Sequence, residues 1–274
     1  MNVVITGSTQ GLGAGYAREF LKRGHSVMVS GRKQASVDKA VSDLRRIAPS
    51  GARVAGVACD VSRIEDVQAL WDASVRELGR VDLWFNNAGY ARTGVTFLET
   101  RPAELAAMVR SNVIGTMNGC QVALAGMKAQ GANSGNGGWI YLTLGGGAKG
   151  RIVPGMAVYS TTKRALKYFA DCLVKEARGT AVKIGTVSPG INITEGMLRE
   201  IEAVTPAARA RMLRPLNLIG DHVETTTPWI VERILEGRES GHDVTWLTGG
   251  RMMQRLFGSL FRKRDVLSRY GLRA

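Results

Sequence analysis

The sequence predicts an α/β fold, a single doubly wound parallel sheet with helices on both faces. Two observations carry this. Over the first 190 residues one unit repeats: a short β-branched or apolar run, a glycine or aspartate at its end, then a helical stretch. Strands alternating with helices indicate parallel βαβ units, and right-handed crossovers distribute the helices over both faces. The first run also passes directly into a glycine-rich turn that opens a helix.

Strands are predicted at Asn2 to Thr6, Ser26 to Ser30, Arg53 to Ala58, Val81 to Asn86, Trp139 to Leu144 and Val182 to Ser188, with helices near 12–23, 34–47, 62–78, 102–130 and 157–178 between them. The glycine-rich stretch Gly131 to Gly138 predicts an exposed turn. Beyond the sixth strand, residues 193–215 show mixed helical periodicity, Asp221 to Glu236 a further helix, and Asp243 to Leu247 a short last strand. Nothing before residue 190 has a linker's composition, so residues 1–250 are expected to form one domain and 251–274 a basic tail.

The 274 residues are 45% hydrophobic and 22% charged, a globular profile that excludes disordered and fibrous classes. Cys59, Cys120 and Cys172 are widely spaced and odd in number, and the chain has three histidines, which argues against a disulfide framework and a structural metal site. The first strand begins at once, with no charged leader, and no apolar run approaches the roughly 20 residues of a membrane span. The expected location is cytoplasmic, with membrane contact at most peripheral. Lysine and arginine exceed aspartate and glutamate by 14, an excess that attracts phosphate-bearing cofactors, anionic lipid or nucleic acid. No nucleic-acid reading motif accompanies it, so nucleic acid ranks last and is not expected as a partner.

A pyrophosphate is held by bare backbone N–H groups at the positive end of a helix, and glycine lets the backbone come close. Gly7, Ser8, Gln10, Gly11, Leu12 and Gly13 supply such a turn after the first strand, and predict a dinucleotide site in a Rossmann fold. After the second strand, Gly31-Arg32-Lys33 offers no carboxylate to a ribose 2′-hydroxyl and two cations to a 2′-phosphate, which favours NADP(H). The plain alternative is two solvated charges. Tyr159 and Lys163 stand four residues apart, on one helix face. A phenol titrates at about 10 and a nearby ammonium favours its ionised form, so the pair suits proton exchange with a substrate oxygen.

The Thr6-Gly7, Gly11, Gly13 spacing resembles the short-chain dehydrogenase/reductase family, and further features recur in that family's order. These are Asp60-Val61 after the third strand, Asn86-Asn87-Ala88-Gly89 at the end of the fourth, Asn112 in the next helix, Tyr159 to Lys163, and Pro189-Gly190 with Thr194. The resemblance implies that Asp60, with Val61 beside it, meets adenine, that Asn87, Ala88 and Gly89 border the cofactor, and that Pro189, Gly190 and Thr194 lie beside the nicotinamide. It implies that Tyr159 exchanges the proton, Lys163 lowers its pKa and holds the nicotinamide ribose, and Asn112 supports a water relay. The expected substrate is a small-molecule carbonyl or alcohol. Relatives associate through the helices near 102–130 and 157–178, so a homo-oligomer, dimer or tetramer, is expected.

One member of the pattern is absent. Most relatives have a serine just after the fifth strand, whose hydroxyl holds the substrate carbonyl; here that place falls on Leu144 or Gly145. Thr143 shares the face of Gly145 if the strand continues, and is either a substitute donor or an ordinary strand residue. Gly145, Gly146 and Gly147 predict unusual room beside the nicotinamide, and so a bulky substrate. The missing serine, these glycines, the Ala157 to Lys163 spacing and a basic tail after Leu247-Thr248-Gly249 resemble the chlorophyll b reductase branch of the family, which implies formyl reduction on a large ring. The rival account of the empty position is a non-catalytic NADP-binding redox sensor or scaffold.

In this family residues 193–215 would form a substrate lid, with Met197, Leu198, Ile201, Met212 and Leu213 lining a pocket or packing as core. Trp229 and Trp246 are expected to pack. Residues 251–274 carry seven arginines and lysines against Asp265 alone. Wound as a helix, Met252, Met253, Leu256, Phe257, Leu260 and Phe261 fall on one half and Arg251, Arg255 and Arg262 opposite. Such a helix either docks its apolar stripe on protein or rests on anionic membrane through residues 251–264.

Overall fold

The computed structural model describes residues 1–261 and 264–272, and within them all side chains but those of 133, 134, 207, 208, 211, 214 and 260. Arg262, Lys263 and Arg273 of the basic tail, and the side chain of Leu260, lie outside the described residues. In chain order the elements begin β1 (Asn2–Ile5), α1 (Gly11–Lys22), β2 (Ser26–Gly31), α2 (Gln34–Arg45), β3 (Val54–Ala58), α3 (Ile64–Leu78) and β4 (Leu83–Asn86). They continue α4 (Pro102–Met108), a π-helical turn (Val109–Ile114), α5 (Gly115–Ser134), β5 (Gly138–Thr143), α6 (Ala157–Glu176), β6 (Val182–Ser188) and β7 (Ile191–Ile193). The last are α7 (Glu195–Glu202), α8 (Pro206–Ile219), β8 (Gly220–His222), α9 (Val223–Leu235), β9 (His242–Thr245) and α10 (Gly249–Phe261).

The main sheet is parallel throughout, in the order β3-β2-β1-β4-β5-β6-β9. Its central strands are apolar on both faces, Val3, Val4, Ile5, Val27 and Val29 being fully buried, as a sheet covered on both sides requires. On one face Ile5, Val29 and Tyr141 pack with Phe20, Val37 and Ile230 from α1, α2 and α9. On the other, Val4, Ile140 and Leu142 pack with Leu70, Met127 and Leu173 from α3, α5 and α6. The order reverses beside β1, and β1 and β4 deliver the glycine turn and the Asn86–Gly89 segment to one edge, where such sheets bind ligands.

Two expectations need correction and one is refined. The stretch 102–130 is helical throughout, as expected, but a π turn lies between α4 and α5 within it; that turn carries Asn112, and such bulges favour functional sites. Gly131 to Ser134 continue α5 instead of forming a turn, because small residues let the helix pass Ala181, which a Cβ on Gly131 would approach to 2.9 Å; the chain turns at Gly135 in left-handed geometry. The helix predicted from Asp221 starts at Val223, since Gly220–His222 pair in parallel with Ile191–Ile193 and close the base of the lid.

The lid has its own small core. Ile193, Ile201, Leu213 and Leu216 are buried with Val266, Leu267 and Leu272 of the chain end, and Met197, Leu198 and Met212 pack against them. Residues 266–272 therefore fold with the lid and do not hang from the domain. The tail helix does not dock its apolar stripe on its own chain, which leaves that stripe for a second subunit or a membrane. Its arginine side faces inward: Arg255 bonds both oxygens of buried Asp221 at 2.9 and 2.8 Å and the Ile219 carbonyl at 2.8 Å. Arg251 lies over the Trp246 ring, 3.9 Å from its centroid. Arg264 adds a bond to Asp221 at 3.0 Å and one to the Leu218 carbonyl. Buried Asp221 and the last carbonyls of α8 select cations, the usual partners of a helix C-terminus. Met253, Leu256, Phe257 and Phe261 are left exposed, Phe261 at 90%.

Candidate active site

Gly7 and Gly11 have φ of +63° and +57°, the left-handed region where glycine carries no side-chain penalty. A Cβ on Gly13 would run into the Gly7 carbonyl and Asn87 Nδ2, so the first turn of α1 comes close against the strand ends. Gln10 is the N-cap of α1, and Leu12 packs on the core behind it. The Gly11 N–H already holds an anion, the Glu195 carboxylate at 3.1 Å; its oxygen stands in for a phosphate oxygen. A pyrophosphate fits this cradle at a helix N-terminus, where its oxygen would take the Gly11 N–H from Glu195.

Ser8 and Asn87 shape the turn from behind. Ser8 Oγ donates to the Ile5 carbonyl at 2.7 Å and accepts from the Ser30 N–H at 3.0 Å. Asn87 Nδ2 donates to the carbonyls of Thr6 and Gly7, while Thr6 Oγ1 accepts from the N–H groups of Asn87 and Ala88, both at 3.0 Å. Asp60 Oδ1 accepts from Ser62, and Val61 packs on Gly115 of α5. A Cβ on Gly31 would come within 2.8 Å of Thr9, a contact that disfavours any side chain, acidic ones included. Arg32 and Lys33 are exposed at the start of α2.

At the other end of the cleft, Lys163 is buried and Nζ donates to the Thr143 carbonyl at 2.9 Å, 5.8 Å from the Tyr159 ring centroid. Burial lowers its pKa to about 8. Burial also pushes the Tyr159 phenol up, with the Glu200 charge adding to it. In this geometry desolvation outweighs the lowering expected from Lys163. Asn112 Nδ2 donates to the Tyr90 carbonyl and to Thr162 Oγ1, and Oδ1 accepts from the Tyr90 N–H at 2.8 Å. Gly89 lies against Asn112 and Lys163. Pro189 accepts from Asn192 through its carbonyl, Gly190 closes on Trp246, and Thr194 caps α7 beside Gly11.

The serine position resolves onto Gly145, whose missing Cβ would point at the Tyr159 hydroxyl; Leu144 is buried with Ala148 and Leu166. The room expected at the three glycines is filled. Tyr159 occupies it at Gly145, Met156 at Gly146 and Ser160 at Gly147, since neighbouring side chains close over space that a missing Cβ vacates. Thr143 Oγ1 is buried without a hydrogen-bond partner, and strand alternation puts it with Trp139 and Tyr141 on the α1 and α9 side. Sequence reasoning missed Thr93, Glu195 and Glu200. Thr93 Oγ1 donates to Glu200 Oε2 at 3.1 Å, a contact between the segment after β4 and α7 of the lid.

The short chain dehydrogenase family profile matches residues 1–203. The chain is 35% identical over 276 residues to the probable chloroplastic chlorophyll(ide) b reductase NYC1 of Arabidopsis thaliana, covering 96% of this chain and 53% of that protein. It is 33% identical over 229 residues to the chloroplastic chlorophyll(ide) b reductase NOL of Oryza sativa subsp. japonica, covering 81% and 65%. The chain thus spans about half to two thirds of the length of these relatives. A Burkholderia phymatum short chain dehydrogenase/reductase in complex with NAD superposes with a TM-score of 0.77 at 23% identity, covering 96% of each chain. A serine dehydrogenase complexed with NADP+ gives 0.75 at 21%, covering 90% of this chain and 95% of that one; both share the fold. The chain belongs to the short-chain dehydrogenase/reductase family of oxidoreductases and is similar to its chlorophyll(ide) b reductase branch.

Proposed function

We propose that this oxidoreductase uses NADP(H) to interconvert a carbonyl and an alcohol on a bulky, apolar small molecule. The observation that carries the proposal is the placement of half-buried Tyr159 and buried Lys163 together at the end of β5, with Lys163 Nζ 5.8 Å from the Tyr159 ring centroid and buried Asn112 on the other side of Gly89. The bound dinucleotide supplies the hydride. Tyr159 gives its phenolic proton to the substrate oxygen in reduction and recovers it in oxidation. Lys163, anchored by the Thr143 carbonyl, holds the nicotinamide ribose, and Asn112 fixes the 90–94 segment along the cleft. Preference for the 2′-phosphate rests on Arg32 and Lys33, with no carboxylate at Gly31. Similarity to chlorophyll(ide) b reductases supports a formyl group on a large ring as substrate. Gly145 is the one observation that favours a non-catalytic sensor, and NADPH oxidation with a panel of bulky aldehydes separates the two.

The association surfaces follow from exposed apolar side chains. Val109, Ile114, Met117 and Tyr168 are exposed on the π turn, α5 and α6, where a homo-oligomer would form. The outward face of α10, with Met253, Leu256, Phe257 and Phe261, is the surface for peripheral membrane contact. Its attraction is apolar insertion, because Arg251 and Arg255 are turned toward Trp246 and Asp221.

A further inference from the structure

The lid meets the phosphate turn directly, through the start of α7. Glu195, the first residue of that helix, accepts the Gly11 N–H at Oε2, 3.1 Å away. The amides at the start of a helix have no partner within it, and here a lid carboxylate serves as one. Arg199 follows four residues later, on the same face of α7, and its Nη2 donates to Gln10 Oε1 at 3.4 Å; Gln10 is the N-cap of α1. Thr194 caps α7 by accepting the Met197 N–H and lies over Gly11, its Cβ and Cγ2 both 3.4 Å from where a Gly11 Cβ would be. Lid side chains thus bring an anion to the Gly11 amide and a cation to the residue before it. Ile201 anchors α7 in the lid core, so whatever holds Glu195 and Arg199 holds the lid.

We propose that this face of α7 is a latch that responds to pyrophosphate: Glu195 ties the lid to the phosphate turn as an internal anion, then yields the Gly11 N–H to a dinucleotide, whose pyrophosphate Arg199 pairs with. The inference rests on the dinucleotide use proposed above. One N–H cannot serve a carboxylate and a phosphate oxygen at full strength, and a carboxylate left beside phosphates meets like charge, so Glu195 opposes binding. Arg199 favours it. Its present bond is long and goes to a neutral amide oxygen, a weak contact to give up, whereas a guanidinium binds phosphate through paired, charge-assisted hydrogen bonds. Glu195 and Arg199 are both exposed, so the exchange needs no repacking of the core. Pyrophosphate is common to NADH and NADPH. The two residues therefore act on both cofactors alike, unlike Arg32, whose role is confined to the 2′-phosphate.

The test is fluorescence titration of the full chain with NADPH and with NADH, for wild type, Glu195→Gln, Glu195→Asp and Arg199→Gln. Glu195→Asp keeps the negative charge that favours a helix start but is one methylene too short to reach Gly11, which separates the contact from the charge. Both Glu195 variants should bind both dinucleotides about three- to fivefold more tightly, the scale of an exposed charged contact. Arg199→Gln should bind both about fivefold more weakly. Wild-type affinity in Glu195→Asp, or an Arg199→Gln variant that loses affinity for NADPH alone, overturns the proposal. Hydrogen exchange of the 195–202 amides without dinucleotide gives a second reading. Exchange should be several-fold faster in Glu195→Asp than in wild type, and the difference should vanish at saturating NADPH; equal rates without dinucleotide overturn the latch. A wild type that binds neither NADPH nor NADH counts against the dinucleotide site, and the exchange rates without dinucleotide then decide whether Glu195 holds the lid.

Discussion

A Cβ on Gly145 would run into the Tyr159 hydroxyl. The position that carries a serine in most relatives is here part of the space the phenol needs, and the two side chains exclude each other in this arrangement. Gly145→Ala should displace the phenol and lower kcat by about 10- to 100-fold, the usual effect of an ångström-scale misplacement, while NADPH affinity measured by fluorescence titration stays the same. Thr143→Val should change kcat by less than about threefold, because deleting an unpartnered buried hydroxyl is close to neutral. A large loss in Thr143→Val would give Thr143 the serine's role.

Cofactor choice is tested by Arg32→Ala. Charge-assisted hydrogen bonds contribute about 1.5–3 kcal/mol, so kcat/KM for NADPH should fall by about 10- to 100-fold while that for NADH holds. A wild type that prefers NADH, or a variant that loses both equally, would contradict the role of Arg32.

Asp221 receives Trp246, Arg255 and Arg264 at one buried carboxylate. Asp221→Ala leaves those donors unsatisfied and should cost roughly 3–5 kcal/mol, the range for breaking a buried ion pair. Urea denaturation of the full chain measures it. A change below 1 kcal/mol would mean that the tail is not held through this group.

The exposed face of α10 is tested with Phe257→Ser and Phe261→Ser together. Removal of the tail would also strip Val266, Leu267 and Leu272 from the lid core, so substitution is the cleaner design. Wild type should sediment with phosphatidylcholine–phosphatidylglycerol vesicles and the double variant should stay in solution. Equal sedimentation of the two would assign the face to protein packing.

The sheet was legible because parallel strands buried on both faces are continuous apolar runs, and Val3 to Ile5 or Val27 to Val29 admit little else. Tyr159, Lys163 and Asn112 were legible as a group through their ordered spacing, and the fold brings them together. The π turn was not, since Val109–Ile114 has the composition of an ordinary helix. The pairing of Ile191–Ile193 with Gly220–His222 joins two three-residue strands separated by α7 and α8, which no local pattern encodes. Amphipathicity defined the two faces of α10, yet which one turns inward was decided by Asp221, far away in sequence and buried. Glu200 carried no signal at all, because its partner Thr93 lies more than a hundred residues away in sequence.

The central claim is that Tyr159 supplies the proton that accompanies hydride transfer to a carbonyl. Its most direct test follows deuterium from NADPH labelled at nicotinamide C4 into the alcohol formed from 2-naphthaldehyde, by mass spectrometry, in wild type and Tyr159→Phe. Wild type should place deuterium on the former carbonyl carbon, and Tyr159→Phe should bind NADPH normally and transfer almost none. Undiminished transfer in Tyr159→Phe, or NADPH oxidised by wild type with no deuterium in the alcohol, would contradict it.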